Sequence, residues 1–135
     1  MTSPDFFEYV LILTNDDFDS NNRIRLSDPQ GLLSGLPLER VLVIVYADWC
    51  PHCVTTKPEF LKAAKELHGS NVLPVAVPVA GADLDSALKA RLDQILPGWT
   101  GGIPYVGMFD LATGKVSQLQ GGRNAENILK FAQQK

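Results

Sequence analysis

The chain has 135 residues, enough for one domain with a sizeable core and too few for two ordinary ones, so a single domain over residues 1–135 is expected. Apolar residues make up 45% and charged residues 20%, a globular balance and not a disordered one. Twelve basic against fifteen acidic side chains leave a net charge of −3; nothing forms a basic stripe for nucleic acid or anionic membrane, and no apolar run approaches the roughly 18 residues that span a bilayer.

The N-terminal MTSPDFFEYVLILTNDDF lacks the positive start of a secretion signal. Its first basic side chain is Arg23, and Asp5 and Glu8 flank the apolar stretch. Tyr9 to Leu13 is therefore predicted as a strand, and a cytoplasmic location is expected. In a reducing compartment two cysteines are more often catalytic, metal-binding or inert than a structural staple.

Residues 15 to 40, with Asn, Asp, Ser, Gly and Pro among scattered leucines, predict loops and one short helix. Val41 to Tyr46 (VLVIVY) is a β-branched apolar run, the mark of a strand covered on both faces. Phe60, Ala63, Ala64 and Leu67 fall on one helical face, Gly69 supplies a stop, and Pro58 is expected to kink that helix. In VLPVAVPVA the two prolines, Pro74 and Pro78, predict a paired section limited to Val75–Val77. Leu84, Leu88, Leu92, Ile95 and Leu96 mark one amphipathic helix, capped by Asp83 or Asp85 and ended by Pro97-Gly98. Tyr105 to Phe109 and Lys115 to Leu119 predict a hairpin around Ala112-Thr113-Gly114. Asn124 caps a last helix that buries Ala125, Ile128, Leu129 and Ala132. Parallel crossovers followed by a closing hairpin make the class α/β with a mixed sheet.

The only two cysteines lie in YADWCPHC, residues 46 to 53. Cys50 follows a buried strand and opens a helix, where unpaired N–H groups and the positive end of the macrodipole favour an anion. A thiol there ionises below its free value of about 8.5. Pro51 is pre-set for the first helical turn, and His52 adds a donor, and charge when protonated. Cys53, one turn on, is placed to close a small ring with Cys50. The predicted chemistry is attack by the Cys50 thiolate and resolution of the mixed disulfide by Cys53, tuned by Pro51-His52. Every tenfold gain in thiolate stability makes such a pair more oxidising by about 30 mV, while the gain in thiolate fraction is largely offset by lower nucleophilicity.

Three other readings are weaker. A closed zinc site needs four ligands, and only His52 and His68 remain to complete one. Two inert thiols on a core helix, or a structural disulfide whose short ring constrains little of the unfolded chain, explain the spacing without chemistry. No bound metal or cofactor is expected.

With Trp49-Cys50-Pro51-His52-Cys53, with Pro58 five residues on, and with Gly102-Ile103-Pro104, the chain resembles the thioredoxin superfamily. KPEFLKAAKEL (57 to 67), LQGGRNAENILKF (119 to 131) and VLILTNDDFD (10 to 19) are most similar to catalytic domains of protein disulfide isomerases. The resemblance covers nearly the whole chain, least over residues 20 to 40. It implies a thioredoxin fold, a mixed sheet of four to five strands flanked by helices on both faces. It also implies thiol–disulfide exchange with protein substrates, and a redox partner that the sequence does not identify. A monomer is expected. Pro104, after Ile103, would sit as a cis proline facing the disulfide, keep metal out and offer backbone pairing to an extended substrate. Trp49, Ile103, Gly121 and Gly122 would line the substrate groove, and Arg123 would approach and stabilise the resolving thiolate. The reading from another class is a non-catalytic binding or chaperone module on the same fold.

Two departures from the family pattern stand out. Six residues before the first cysteine the family places a buried carboxylate that moves protons for the resolving thiol; here the residue is Ile44. The Pro-His dipeptide is similar to that of the bacterial periplasmic disulfide oxidant, which implies an oxidising potential, whereas the lack of a secretion signal points the other way. The direction of exchange stays open. Elsewhere, Asp83 and Asp85 read as helix caps, His68 as a solvent-facing helix-end residue, and Trp99 as packing beneath the proline loop or extending the groove.

Overall fold

The β-branched run at 41–46 becomes the middle strand of a five-stranded sheet in a computed structural model that describes residues 6–24, 38–81, 84–96, 98–99 and 101–133. In chain order the elements are α1 (Phe6–Tyr9), β1 (Leu11–Ile12), a 3-10 turn (Asn15–Asp17), β2 (Arg40–Tyr46), α2 (Pro51–Leu67), β3 (Val72–Pro78), α3 (Ser86–Lys89), α4 (Leu92–Ile95), β4 (Tyr105–Asp110), β5 (Val116–Gln118) and α5 (Ala125–Gln133). The sheet order is β1-β3-β2-β4-β5. β3 runs parallel to both β1 and β2, while β4 is antiparallel to β2 and to β5. The mixed sheet predicted from the element order is present.

Several local expectations are corrected. Tyr9 ends a helix, so the first strand is only Leu11–Ile12. β3 pairs with β2 along all seven residues, from Val72 opposite Arg40 to Pro78 opposite Tyr46, well beyond Val75–Val77. Backbone alternation explains why two prolines are tolerated. The Ala76 carbonyl accepts from Leu13 N–H on the β1 side, whereas Val79 N–H donates to Tyr46 on the β2 side. Pro74 and Pro78 share the parity of Ala76, so their missing donors face the β1 edge. There β1 pairs only with Val75 and Ala76.

The single helix predicted over 84–96 is two short ones. Asp85 caps α3, accepting from Ala87 N–H and Leu88 N–H at 3.0 and 3.1 Å. Between α3 and α4, the Arg91 guanidinium bonds Asn15 at 2.8 Å and Asn22 at 2.9 Å and also reaches the Asp19 carbonyl, tying this segment to the 15–22 loop. Leu88, Leu92, Ile95 and Leu96 are buried as expected. The alternative cap Asp83, the stop at Pro97 and residues 25–37 lie outside the described residues. Asn124 caps α5 through Asn127 N–H at 2.8 Å, and of the predicted stripe Ile128 and Ala132 are fully buried.

Side-chain alternation along β4 assigns the helices to faces. Phe109 packs edge-on against Phe18, with centroids 6.4 Å apart, and shares a cleft with Ile95 of α4. Its neighbour Met108, on the other face, shares a cleft with Phe131 of α5, the helix against which α2 packs. Cross-strand partners share a face, and Leu42 is paired with Met108 and Ile44 with Val106. Leu42, Ile44 and Tyr46 therefore point toward α2, together with Ala76, the partner of Ile44 on β3. All four are buried.

Candidate active site

β2 delivers the chain to the C-terminal edge of the sheet, and Ala47-Asp48-Trp49 turns it into α2. Cys50 is the N-cap of that helix, in extended conformation, and Pro51 occupies its first turn. The cap acceptor is a sulfur: Cys53 N–H donates to Cys50 Sγ at 3.4 Å. Both cysteines are free thiols and both are buried, Cys53 completely and Cys50 to 5% exposure.

Burial opposes ionisation of Cys50. Hydrogen bonds from the Cys53 side chain and from the Cys53 and His52 main-chain N–H groups, with the Arg123 charge, outweigh it and hold the thiol below its ordinary value. Cys53 goes the other way. Burial, together with the hydrogen bond to Cys50 and the charge there, pushes it up to about 11, although the Ala47 backbone and the Lys57 charge lower it. The two sulfurs thus have separate states, one inclined to be an anion and the other a thiol.

The remaining predicted residues fall into two groups. Ile103-Pro104 has a cis peptide bond, and the Ile103 carbonyl oxygen lies 3.9 Å from Cys50 Sγ. Trp99 supports this loop from the side, its indole N–H donating to the Gly102 carbonyl at 2.8 Å. Trp49 is 71% exposed next to the buried sulfur, and Val54 on α2 is also exposed. His52 lies on the exposed first turn and shares an open cleft with Thr55, Thr56, Glu59, Arg123 and Asn124. What His52 supplies to the Cys50 sulfur is its main-chain N–H. The resemblance implied that Arg123 acts on Cys53; here its charge favours the Cys50 thiolate. Glu59 joins this loop to α2 by accepting from Ala125 N–H at 3.2 Å.

Gly121 and Gly122 stand in the exposed loop ahead of α5, and neither borders that cleft. Gly121 has φ +94°, which favours glycine, and the Gly122 carbonyl accepts from the Asn127 amide at 3.1 Å. Ile44, in place of the usual acid, is fully buried beside Ala76.

Sequence reasoning overlooked Lys57 and Asp48. Lys57 is buried, its Nζ 3.2 Å from Asp48 Oδ1 and 4.1 Å from the centre of the Tyr46 ring. A signal was available: Cys53, Lys57, Phe60, Ala64 and Leu67 follow one helical face, and a cation interrupts that apolar stripe.

A family model, Thioredoxin, matches residues 33–134. The chain belongs to the thioredoxin family. Among relatives of this thioredoxin-family chain, Protein disulfide isomerase-like 1-1 of Arabidopsis thaliana is 32% identical over 91 residues, 67% of this chain and 17% of that protein. Protein disulfide-isomerase A4 of Bos taurus is 35% identical over 86 residues, 64% of this chain and 11% of that protein. The chain therefore spans less than a fifth of the length of either isomerase. Putative thioredoxin-like protein 453L of Invertebrate iridescent virus 6 is 28% identical over 139 residues, covering 93% of this chain and 94% of that one. In structure, the J-Trx1 fragment of ERdj5 superposes with TM-score 0.62 at 21% identity, covering 93% of this chain and 50% of its own. The first thioredoxin domain of mouse Protein disulfide-isomerase A4 gives 0.60 at 21% identity, covering 91% and 72%. These likenesses establish the thioredoxin fold, and no helix among the described residues is long and apolar enough to cross a membrane.

Proposed function

We propose that this thioredoxin-family chain exchanges disulfides with protein substrates through Cys50 and Cys53. One observation carries the reading: Cys50 Sγ is the N-cap acceptor of α2, bonded by Cys53 N–H at 3.4 Å. That position favours the anion, and it sets the second thiol one turn away. The disulfide-isomerase names of several relatives and the exposed apolar Trp49 beside a buried sulfur support a protein as the substrate.

In the reductive direction the Cys50 thiolate attacks one sulfur of a substrate disulfide. A bond forms between Cys50 and that sulfur, and the other substrate sulfur leaves with the electron pair and takes up a proton. Cys53 then loses its proton and attacks Cys50 Sγ. The Cys50–Cys53 disulfide forms, and the second substrate sulfur departs as a thiol. Oxidation of a substrate runs the same steps in reverse. Trp49, Ile103, Pro104, Gly121 and Gly122 are the proposed substrate contacts, and Arg123 the charge that favours the Cys50 thiolate. A separate redox partner resets the pair.

Insulin reduction by dithiothreitol tests this. The wild type accelerates precipitation and Cys50→Ser does not. Equal acceleration by both, or by neither, overturns the reading and favours a binding module.

A further inference from the structure

We propose that Lys57, seated by Asp48, is the charge that makes Cys53 reactive in the second half of the exchange, an inference that rests on the exchange reading above. The need for such a charge follows from the site itself. Cys53 is fully buried, and its proton must leave before its sulfur can attack. Burial in an apolar pocket resists that loss.

The groups around Cys53 limit what can help. The sheet presents Ile44 and Ala76 to α2, with Tyr46 as the polar side chain among the residues assigned to that face. Tyr105 is on the opposite face, its hydroxyl lying over Gly107. Arg123 and His52 are at the exposed cleft on the Cys50 side. From α2 itself comes Lys57, four residues after Cys53 and so on the same helical face. From the preceding loop comes Asp48.

Lys57 is held in place: Nζ lies 3.2 Å from Asp48 Oδ1, and its ammonium rests 4.1 Å from the Tyr46 ring centre. The lysine side chain is 8% exposed whereas that of Asp48 is 59% exposed. The anion is thus screened by water while the cation acts through protein, where charge interactions are stronger. The Lys57 charge accordingly favours the Cys53 thiolate. The step it assists is balanced. The Cys53 S–H bond breaks, the sulfur pair forms the bond to Cys50 Sγ, and the Cys50–substrate bond breaks with its electrons going to the substrate sulfur. The proton ends on that released thiol.

The magnitude follows from two opposed effects. A tenfold loss of thiolate fraction is partly offset by about a threefold gain in nucleophilicity, for a Brønsted slope of about 0.4 to 0.5. For each tenfold loss of thiolate, removing the charge should therefore slow resolution by about threefold near pH 7.5.

The test uses reduced protein and the aromatic disulfide 5,5′-dithiobis(2-nitrobenzoate), with absorbance of the released thiolate. Attack by Cys50 gives a first phase that depends on reagent concentration. Displacement by Cys53 gives a second, concentration-independent one. Lys57→Met, similar in length and able to pack in the same slot, and Lys57→Gln, which keeps a donor for Asp48, are expected to slow only the second phase. Lys57→Arg restores it. A second phase unchanged in both neutral variants, an equal loss in both phases, or failure of Arg to restore the rate would each overturn the proposal. A wild type that yields no first phase, or none followed by intramolecular release, instead overturns the exchange reading itself.

Discussion

Cys53 N–H points at Cys50 Sγ from 3.4 Å, so the helix carrying the second cysteine is capped by the sulfur of the first. Each thiol therefore sets the ionisation of its neighbour. The hydrogen bonds that favour the Cys50 anion come from Cys53 and the adjoining backbone, and burial, reinforced by that same anion, keeps the proton on Cys53.

The pH dependence of the redox potential reports this split. A pair that binds two protons on reduction changes by about 59 mV per pH unit, and a pair that binds one by about 30 mV. Cys50 ionises below its ordinary value while Cys53 keeps its proton until about pH 11. Glutathione equilibration between pH 9 and 10.5 is thus expected to give a slope near 30 mV per unit. A flat profile in that range, as two ordinary thiols would produce, contradicts the split.

Arg123 is exposed, and its charge favours the Cys50 thiolate. Arg123→Gln should slow alkylation of Cys50 by iodoacetamide by about two- to fivefold at pH 7 and low salt, with the difference fading as salt screens the exposed charge. Salt-independent slowing would indicate a structural effect of the loop.

Ile44 fills the place where the family has an acid, and here it is a packing residue at 0% exposure. Ile44→Ala should cost about 2–5 kcal/mol of stability in urea titration. The folded variant should keep the wild-type resolving rate. A specific loss of that rate, with stability intact, would give position 44 a chemical role.

Trp99 anchors the loop before Ile103 by one bond of 2.8 Å to the Gly102 carbonyl. Trp99→Phe keeps most of the ring and removes the donor, at a cost of about 1 kcal/mol, or about 3 °C in Tm. Because the loop is a proposed substrate contact, KM for a peptide disulfide should rise with kcat little changed. Unaltered KM would separate this bond from binding.

Asp85 joins distant parts of the chain: it accepts from Ala87 and Leu88 at the start of α3 and, at 2.8 Å, from Asn15 N–H. Those bonds hold its carboxyl below the usual value. A depressed carboxyl stabilises the fold above its unfolded value of about 3.9, and the contribution is lost as pH falls through the folded value. Asp85→Ala is expected to cost about 1–2 kcal/mol at pH 7. The two stability curves should converge as pH drops below about 4. A constant gap down to pH 2 would refute the carboxylate's part.

Local chemistry was enough to place the central strand, the helix after the cysteines, the closing hairpin and the cap of α5. Each depends on residues within a few positions of one another: the VLVIVY run, the 60-63-64-67 spacing, and Asn124 ahead of an apolar stripe. The cysteine pair and Pro51 were likewise legible, because helix-start chemistry is a property of adjacent residues, whereas the cis proline at 104 was implied by the family resemblance. What required the fold was decided by contacts between segments far apart in sequence. Pro74 and Pro78 lie in a fully paired strand because β1 is too short to need their donors. The helix over 84–96 is divided, with Arg91 bonded to residues some 70 positions earlier. His52 acts on the sulfur through its backbone while its side chain faces a cleft shared with Arg123. Lys57, which the sequence reading overlooked, is buried between Asp48 and Tyr46. Sequence periodicity records which side of a helix is apolar; only the folded chain brings the partners that make a buried charge tolerable there, since that depends on the distance to an opposite charge and on the water excluded around both.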